Sequence, residues 1–327
     1  MDYIEQLQLS MLQEGCSQEY IDRCCTYASK LFQENLPVFF DVNHIKQVFS
    51  LGGINICAYS IFGVKGKNKI REIHAPSRRL KDIQRWMLDY IFEKFPVSKH
   101  AHGFVKGRSI VTNAQTHVNQ SHMLNIDIKD FFPSISEVQV ADLFFSFGYT
   151  KEVSGFLAQL CCHQGCLPQG APTSPYIANL IMLPADKMLA DLAHSFGCKY
   201  SRYADDITFS GDRDMTEILA EITTVLNSYD FRINHSKTRI MGEDQVKKVT
   251  GLVVSDRVRV PKKFKRKLVK ELYYCNKFGA FRHLENIKAT QYVNFQEHIY
   301  GKIYFVHMAE PDVGRKLLEQ AREVRWT

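Results

Sequence analysis

Two adjacent carboxylates constrain this chain more than any other feature. The run Ser201-Arg202-Tyr203-Ala204-Asp205-Asp206-Ile207-Thr208-Phe209-Ser210 sets Asp205 and Asp206 between two short β-prone segments. Tyr203 on one side and Ile207 and Phe209 on the other favour strands, while Asp-Asp favours a turn. The spacing predicts a tight hairpin with two negative charges at its tip. Like charges side by side repel, so the pair either sits in a solvated turn or meets a compensating cation. A hard divalent metal suits carboxylate oxygens.

A second stretch sharpens that choice. In Leu124-Asn125-Ile126-Asp127-Ile128-Lys129-Asp130-Phe131-Phe132, the alternation of Leu124, Ile126 and Ile128 predicts a buried strand. Asp127 lies within it, where a lone carboxylate is costly. With the two strands side by side, Asp127 joins Asp205 and Asp206. Three carboxylates can hold two Mg²⁺ ions roughly 3.5–4 Å apart, an arrangement that serves in-line displacement at phosphorus.

Tyr-Ala-Asp-Asp behind an upstream strand aspartate resembles the palm of a reverse transcriptase. Leu167-Pro168-Gln169-Gly170 resembles that family's Leu-Pro-Gln-Gly element. Asn113-Ala114, with His117 four residues after Asn113, and Val249-Thr250-Gly251-Leu252 resemble hallmarks of retron reverse transcriptases in particular. The matches run in the family's order and cover most of the chain. Strand–helix–strand units over 120–255 fit the same picture, an α+β palm of the split βαβ kind. The resemblance implies a right-hand polymerase. Its parts would be an N-terminal helical arm over 1–50, fingers over 51–120, a palm over 121–255 with a fingers insertion near 150–175, and a basic helical thumb over 256–327.

It also implies roles. Asp127, Asp205 and Asp206 would hold two Mg²⁺ ions while a primer hydroxyl attacks the α-phosphate of a deoxynucleoside triphosphate. Arg71 matches the fingers arginine that clamps the triphosphate, with Lys65 or Lys69 beside it. Phe132 would pack beneath the sugar and reject a 2′-OH, although an aromatic next to an apolar strand also fits a core. Gln169 would touch the nucleotide, and Gly170 would let backbone approach the template. Lys237 matches the lysine that protonates leaving pyrophosphate, although a surface lysine is the commoner state. Asn113, Ala114, His117, Val249, Thr250, Gly251 and Leu252 would form the primer grip and recognise RNA. Asn113 and His117 equally suit a polar pair facing solvent, and Gly251 reads as a strand glycine that lets another backbone approach.

The partners implied are a structured non-coding RNA serving as template and primer, starting from an internal guanosine 2′-OH, and its branched product, multicopy single-stranded DNA. A host RNase H and a separate effector in anti-phage defence complete the set.

Charge distribution points the same way. Residues 256–327 carry 16 Lys and Arg against 8 Asp and Glu, a net of +8, while the whole chain is +7. The preceding 255 residues are therefore nearly neutral, and the excess sits where Lys262, Lys263, Lys265, Arg266, Lys267 and Lys270 surround an apolar stripe of Phe264, Leu268 and Leu272. That asymmetry implies a phosphate-backbone partner.

Composition excludes other classes. No apolar run approaches the ~20 residues of a membrane span, and Met1-Asp2-Tyr3-Ile4-Glu5 lacks a secretory signal's basic and apolar regions. Nine cysteines without repeated spacing imply reduced thiols and a cytosolic setting, which the retron resemblance makes a bacterial cytoplasm. Cys161, Cys162, His163 and Cys166 raise a zinc question, but no second ligand pair follows, and buried helical thiols fit better. Among rivals, a group II intron maturase would have a longer C-terminal extension, and a nucleotide cyclase would carry Gly-Gly-Asp-Glu-Phe. A non-catalytic RNA-binding scaffold fits the basic C-terminus but not three retained aspartates.

Overall fold

The computed structural model describes residues 2–51, 58–65, 70–288 and 294–326. In chain order its elements begin α1 Tyr3–Gln13, α2 Gln18–Gln33, α3 Val42–Val48, β1 Tyr59–Lys65, β2 Ile70–Pro76, α4 Arg78–Tyr90, α5 Ile110–Gln115 and β3 His122–Asp127. Next come α6 Glu137–Ser146, α7 Lys151–Cys161, α8 Ser174–Ile181, α9 Leu183–Ser195, β4 Lys199–Tyr203, β5 Asp206–Gly211 and α10 Ile218–Ser228. The last are β6 Arg239–Met241, β7 Lys248–Val249, β8 Leu252–Val254, β9 Val258–Arg259, α11 Lys262–Phe278, α12 Ala280–Asn286, α13 Phe295–Ala309 and α14 Pro311–Arg322. No helix among the described residues is long and apolar enough to cross a membrane.

Local chemistry accounts for many of these boundaries. Ser17, Ser77 and Ser136 each turn a side-chain oxygen onto a free N–H of the first turn of α2, α4 and α6. The helical run after Pro175 divides at Met182. Pro184 follows and has no N–H to give the preceding turn, so α8 stops and α9 begins. Leu284 and His307 lie on two separate helices. Lys288 adopts φ 53°, a left-handed conformation that ends α12, and α13 begins at Phe295.

The chain forms two compact units. The first comprises Met1–Phe104, Ile128–Leu189 and Thr223–Ile233. Its core gathers Ile21, Leu31, Phe39, Leu80, Phe92 and Phe144, all at most 2% exposed. The N-terminal segment is built into this core. The Tyr149 hydroxyl donates to the Pro37 carbonyl at 3.0 Å, and the Tyr27 hydroxyl to that of Phe39 at 2.8 Å. Burial pushes the Tyr27 hydroxyl up to about 12 and raises that of Tyr149 further. β1 and β2 pair as an antiparallel hairpin from Tyr59↔Pro76 to Lys65↔Ile70. Cys161 ends α7 and Cys162 caps it, both buried, with the Cys162 thiol pushed up by burial.

The second unit comprises Val105–Asp127, Ala190–Ile222 and Asn234–Thr327. It holds a four-stranded antiparallel sheet in the order β4-β5-β3-β6 and a three-stranded one, β7-β8-β9. One apolar cluster joins Ala114, Met123, Val249 and Leu252 to Leu268, Leu272, Ile299, Ile303, Val306 and Leu317 of the C-terminal helices. α13 and α14 pack closely because Gly314 has no side chain. A Cβ there would collide with His307 Cα.

Candidate active site

The carboxylate pair sits on the β4–β5 hairpin. Tyr203 pairs with Asp206, leaving Ala204 and Asp205 as a two-residue turn. Ala204 takes φ 55°, the left-handed geometry that short hairpin turns favour and that costs a non-glycine residue about 1–2 kcal/mol. Arg202 is fully buried, and its Nη1 donates to the Ala204 carbonyl at 3.3 Å. A guanidinium thus lies inside the hairpin that displays the acids. Asp205 is half-buried and Asp206 exposed.

Asp127 is the last residue of β3 and stands directly opposite Asp206 in the antiparallel register. It is only 7% exposed. Lys237 Nζ donates to both of its oxygens at 2.7 Å, and Asn234 Nδ2 to Oδ1 at 3.1 Å. The Asn234 N–H also bonds the Asp127 carbonyl at 2.8 Å, fixing the segment that delivers Lys237. An ammonium and an amide therefore answer the burial of this charge. Among the described residues no three His, Cys, Asp or Glu side chains already enclose a metal-sized space. The donor chemistry nevertheless fits one. Two carboxylates face each other across a rung, and a third adjoins them in the turn.

The Asn113–His117 motif is interior, which corrects the reading of a polar pair facing solvent, whereas the second motif is buried only at Val249 and Leu252, with Thr250 half-buried and Gly251 exposed. Asn113, Ala114 and His117 are all 0% exposed. His117 Nδ1 lies 2.6 Å from Ser210 Oγ and Nε2 2.7 Å from Ser201 Oγ, while Ser201 Oγ donates to Asn113 Oδ1 at 2.6 Å. Val249 and Leu252 are core residues at 0% exposure. Gly251 is not a strand glycine. Thr250 and Gly251 form the two-residue turn between β7 and β8 with φ 45° and 86°, and a Cβ on Gly251 would meet nothing within 4 Å. Glycine meets the positive φ that this turn requires. The Thr250 hydroxyl donates to the Ile110 carbonyl at the start of α5 at 3.2 Å, so this turn is bonded to the helix that carries Asn113 and Ala114.

The residues expected to meet a nucleotide lie in the first unit. Lys65 ends β1 and Arg71 lies on β2, both exposed; Lys69 lies outside the described residues. Phe132 is half-buried, with its ring 5.4 Å from Phe131 and 6.5 Å from Phe104. The Gln169 carbonyl accepts from the His74 N–H of β2 at 2.9 Å. Gly170 follows at φ 138°, and a Cβ on it would lie 2.7 Å from the His74 carbonyl oxygen. Its near approach is thus to this chain's own β2. Burial, then the neighbouring His74, lowers the pKa of His163 beside this strand, whose ring is 5.2 Å from that of His74.

Residues 64–254 match the family model for reverse transcriptase, the RNA-dependent DNA polymerase. Over 234 residues the chain is 37% identical to the Retron Ec86 reverse transcriptase of Escherichia coli, covering 69% of this chain and 73% of that one. The chain belongs to the retron reverse transcriptases. It is 34% identical over 286 residues to the Retron Mx65 reverse transcriptase of Myxococcus xanthus, covering 81% of this chain and 64% of that one. It is also 37% identical over 236 residues to the Retron Se72 reverse transcriptase of Salmonella heidelberg, covering 68% of this chain and 62% of that one. The family has the right-hand polymerase fold, and its members are RNA-directed DNA polymerases that use divalent metal ions.

In this retron reverse transcriptase the basic helix α11 divides by exposure. Lys262, Lys263, Arg266, Lys267 and Lys270 are exposed. Lys265 is not part of that set, contrary to expectation. Its Nζ bonds both Glu310 oxygens at 2.8 and 2.7 Å, and Glu310 also accepts from the Val260 N–H. Sequence reasoning assigns nothing to Ser201, Ser210, Arg202 or Asn234. The signal available for the serines is their place at the two ends of the carboxylate stretch.

Proposed function

We propose that this chain copies a dedicated, structured non-coding RNA into DNA, starting from an internal guanosine 2′-OH and yielding branched multicopy single-stranded DNA. The observation that carries the reading is the in-register pairing of Asp127 with Asp206, beside Asp205, in a chain of the retron family. Asp127, Asp205 and Asp206 supply the oxygen donors for two Mg²⁺ ions. When bound, such ions lower the pKa of the attacking hydroxyl and neutralise charge on the leaving side. Lys237 carries a proton on Nζ within reach of Asp127 and gives it to departing pyrophosphate. Arg71, with Lys65 or Lys69, binds the triphosphate of the incoming deoxynucleotide, Gln169 contacts the nucleotide, and Phe132 excludes the 2′-OH. The exposed cations of α11 hold the RNA backbone.

In this proposal residues 51–120 act as fingers, 121–255 as palm and 256–327 as thumb. The enzyme works in the bacterial cytoplasm, a host RNase H removes copied template, and a separate effector protein completes an anti-phage defence. Sequencing the nucleic acid that copurifies with the chain tests the retron reading. A short RNA joined to single-stranded DNA is expected, and bulk cellular RNA alone would remove it. Primer extension on an RNA template tests the polymerase reading. Equal synthesis by wild type and Asp205→Ala would leave an RNA-binding scaffold as the better account.

A further inference from the structure

Successive side chains of a strand alternate between faces, so Asp206, Thr208 and Ser210 share one face of β5. The register puts Asp127 on that face opposite Asp206, and Tyr203 and Ser201 of β4 opposite Asp206 and Thr208. Ser201 and Ser210 are thus diagonal neighbours on the two arms of the hairpin, behind the carboxylates and on the carboxylates' own side. His117 lies between them. A neutral imidazole donates with one nitrogen and accepts with the other, so one ring bonds both arms at once. With the Asn113 amide oxygen toward Ser201, the donors run in one direction, from Ser210 to His117 to Ser201 to Asn113. All four residues are 0% exposed, so water does not compete for these bonds.

We infer that His117 is a positioning residue of the polymerase site, a strut that sets the two arms of the carboxylate hairpin against α5. This rests on the polymerase reading above for its consequence, not for its geometry. α5 is pinned at its other end, where Ile110 accepts the Thr250 hydroxyl. Thr250 is β-branched and held at φ 45°, a conformation that persists only when its surroundings impose it. One short helix therefore ties the acids to the turn at 250–251. An apolar side chain of similar volume would fill the space without fixing how far one arm slides past the other. Such sliding would shift Asp206 relative to Asp127 while leaving every RNA-facing residue in place.

The test compares wild type, His117→Ala, Ser210→Ala and the double variant on an RNA template, with hydrogen–deuterium exchange over residues 199–211. His117→Ala is expected to lower kcat about 10- to 100-fold, as a misplacement of about 1 Å does, with the KM for deoxynucleotide and the Kd for RNA within about twofold of wild type. Ser210→Ala, a smaller change, lowers kcat less, and adding it to His117→Ala lowers kcat no further. Both single variants speed exchange in the hairpin and leave α11 unchanged. Partial recovery of kcat in His117→Gln, which keeps a donor and an acceptor, supports the strut. Loss of RNA affinity with unchanged kcat, multiplying effects in the double variant, or unchanged exchange would each overturn it. A wild type that makes no DNA would overturn the polymerase reading, while the exchange data still decide the strut.

Discussion

Asp205 offers a hard oxygen in a turn that one arginine steadies from within. Its replacement by Ala removes a donor that no neighbour replaces. The expected loss in primer extension is on the order of 10³-fold, since metal-borne charge stabilisation amounts to several kcal/mol. Lys237→Met asks a different question of Asp127. The lysine side chain is 49% exposed, so water screens the pair, and the expected loss of stability is only about 1 kcal/mol. The freed carboxylate should then gain more from a cation. Added Mg²⁺ is expected to raise Tm more in Lys237→Met than in wild type, read by thermal melting; an equal or smaller rise would mean that lysine and metal do not share Asp127. The three aspartates are legible in the sequence because an acid inside an apolar alternation and an acid pair at a turn are local anomalies. The partners of His117 are not, because Ser201 and Ser210 lie 84 and 93 residues further along and serine is ordinary in a strand.

At the scale of elements, glycines mark where backbones must meet or reverse. Gly314→Ala would drive a methyl into the His307 backbone, where α13 and α14 have no room to give. Overpacking of this kind costs about 1–3 kcal/mol, and urea unfolding of the variant should show it. Gly251→Ala should cost less, about 1 kcal/mol, because open space surrounds the position and only its left-handed φ resists the change. The contrast between the two separates steric from conformational reasons for glycine. Helix starts are well read from sequence, since a serine cap acts within three residues. Helix breaks are less legible. The stop at Lys288 depends on one residue adopting a left-handed conformation that its side chain does not announce, and the stop before Pro184 is masked by the apolar run continuing across it.

For the whole molecule, charge is the property that composition reveals and structure refines. The C-terminal excess of +8 predicts affinity for RNA that falls with salt. Replacing exposed Lys262, Lys263 and Lys267 by Ala should flatten the slope of log affinity against log salt by about 0.7–0.9 for each phosphate that no longer meets a cation. Lys265→Ala should instead leave that slope unchanged and lower stability, because its ammonium is committed to Glu310. Filter binding across a salt series, with thermal melting alongside, distinguishes the two outcomes.

The sequence by itself determined the family, the hairpin that carries Asp205 and Asp206, the strand that delivers Asp127, and the basic character of α11. Each is written in neighbouring residues, through alternation, capping, turn preference or local charge. Tertiary structure alone decided that Asp127 faces Asp206, that Lys237 holds Asp127, and that Lys265 turns inward. It also turned Asn113 and His117, which suit a polar pair facing solvent, into a buried brace behind the acids. Those outcomes depend on strand register and on which distant side chains share a face, and pairing over tens of residues leaves no trace in the local order of the chain.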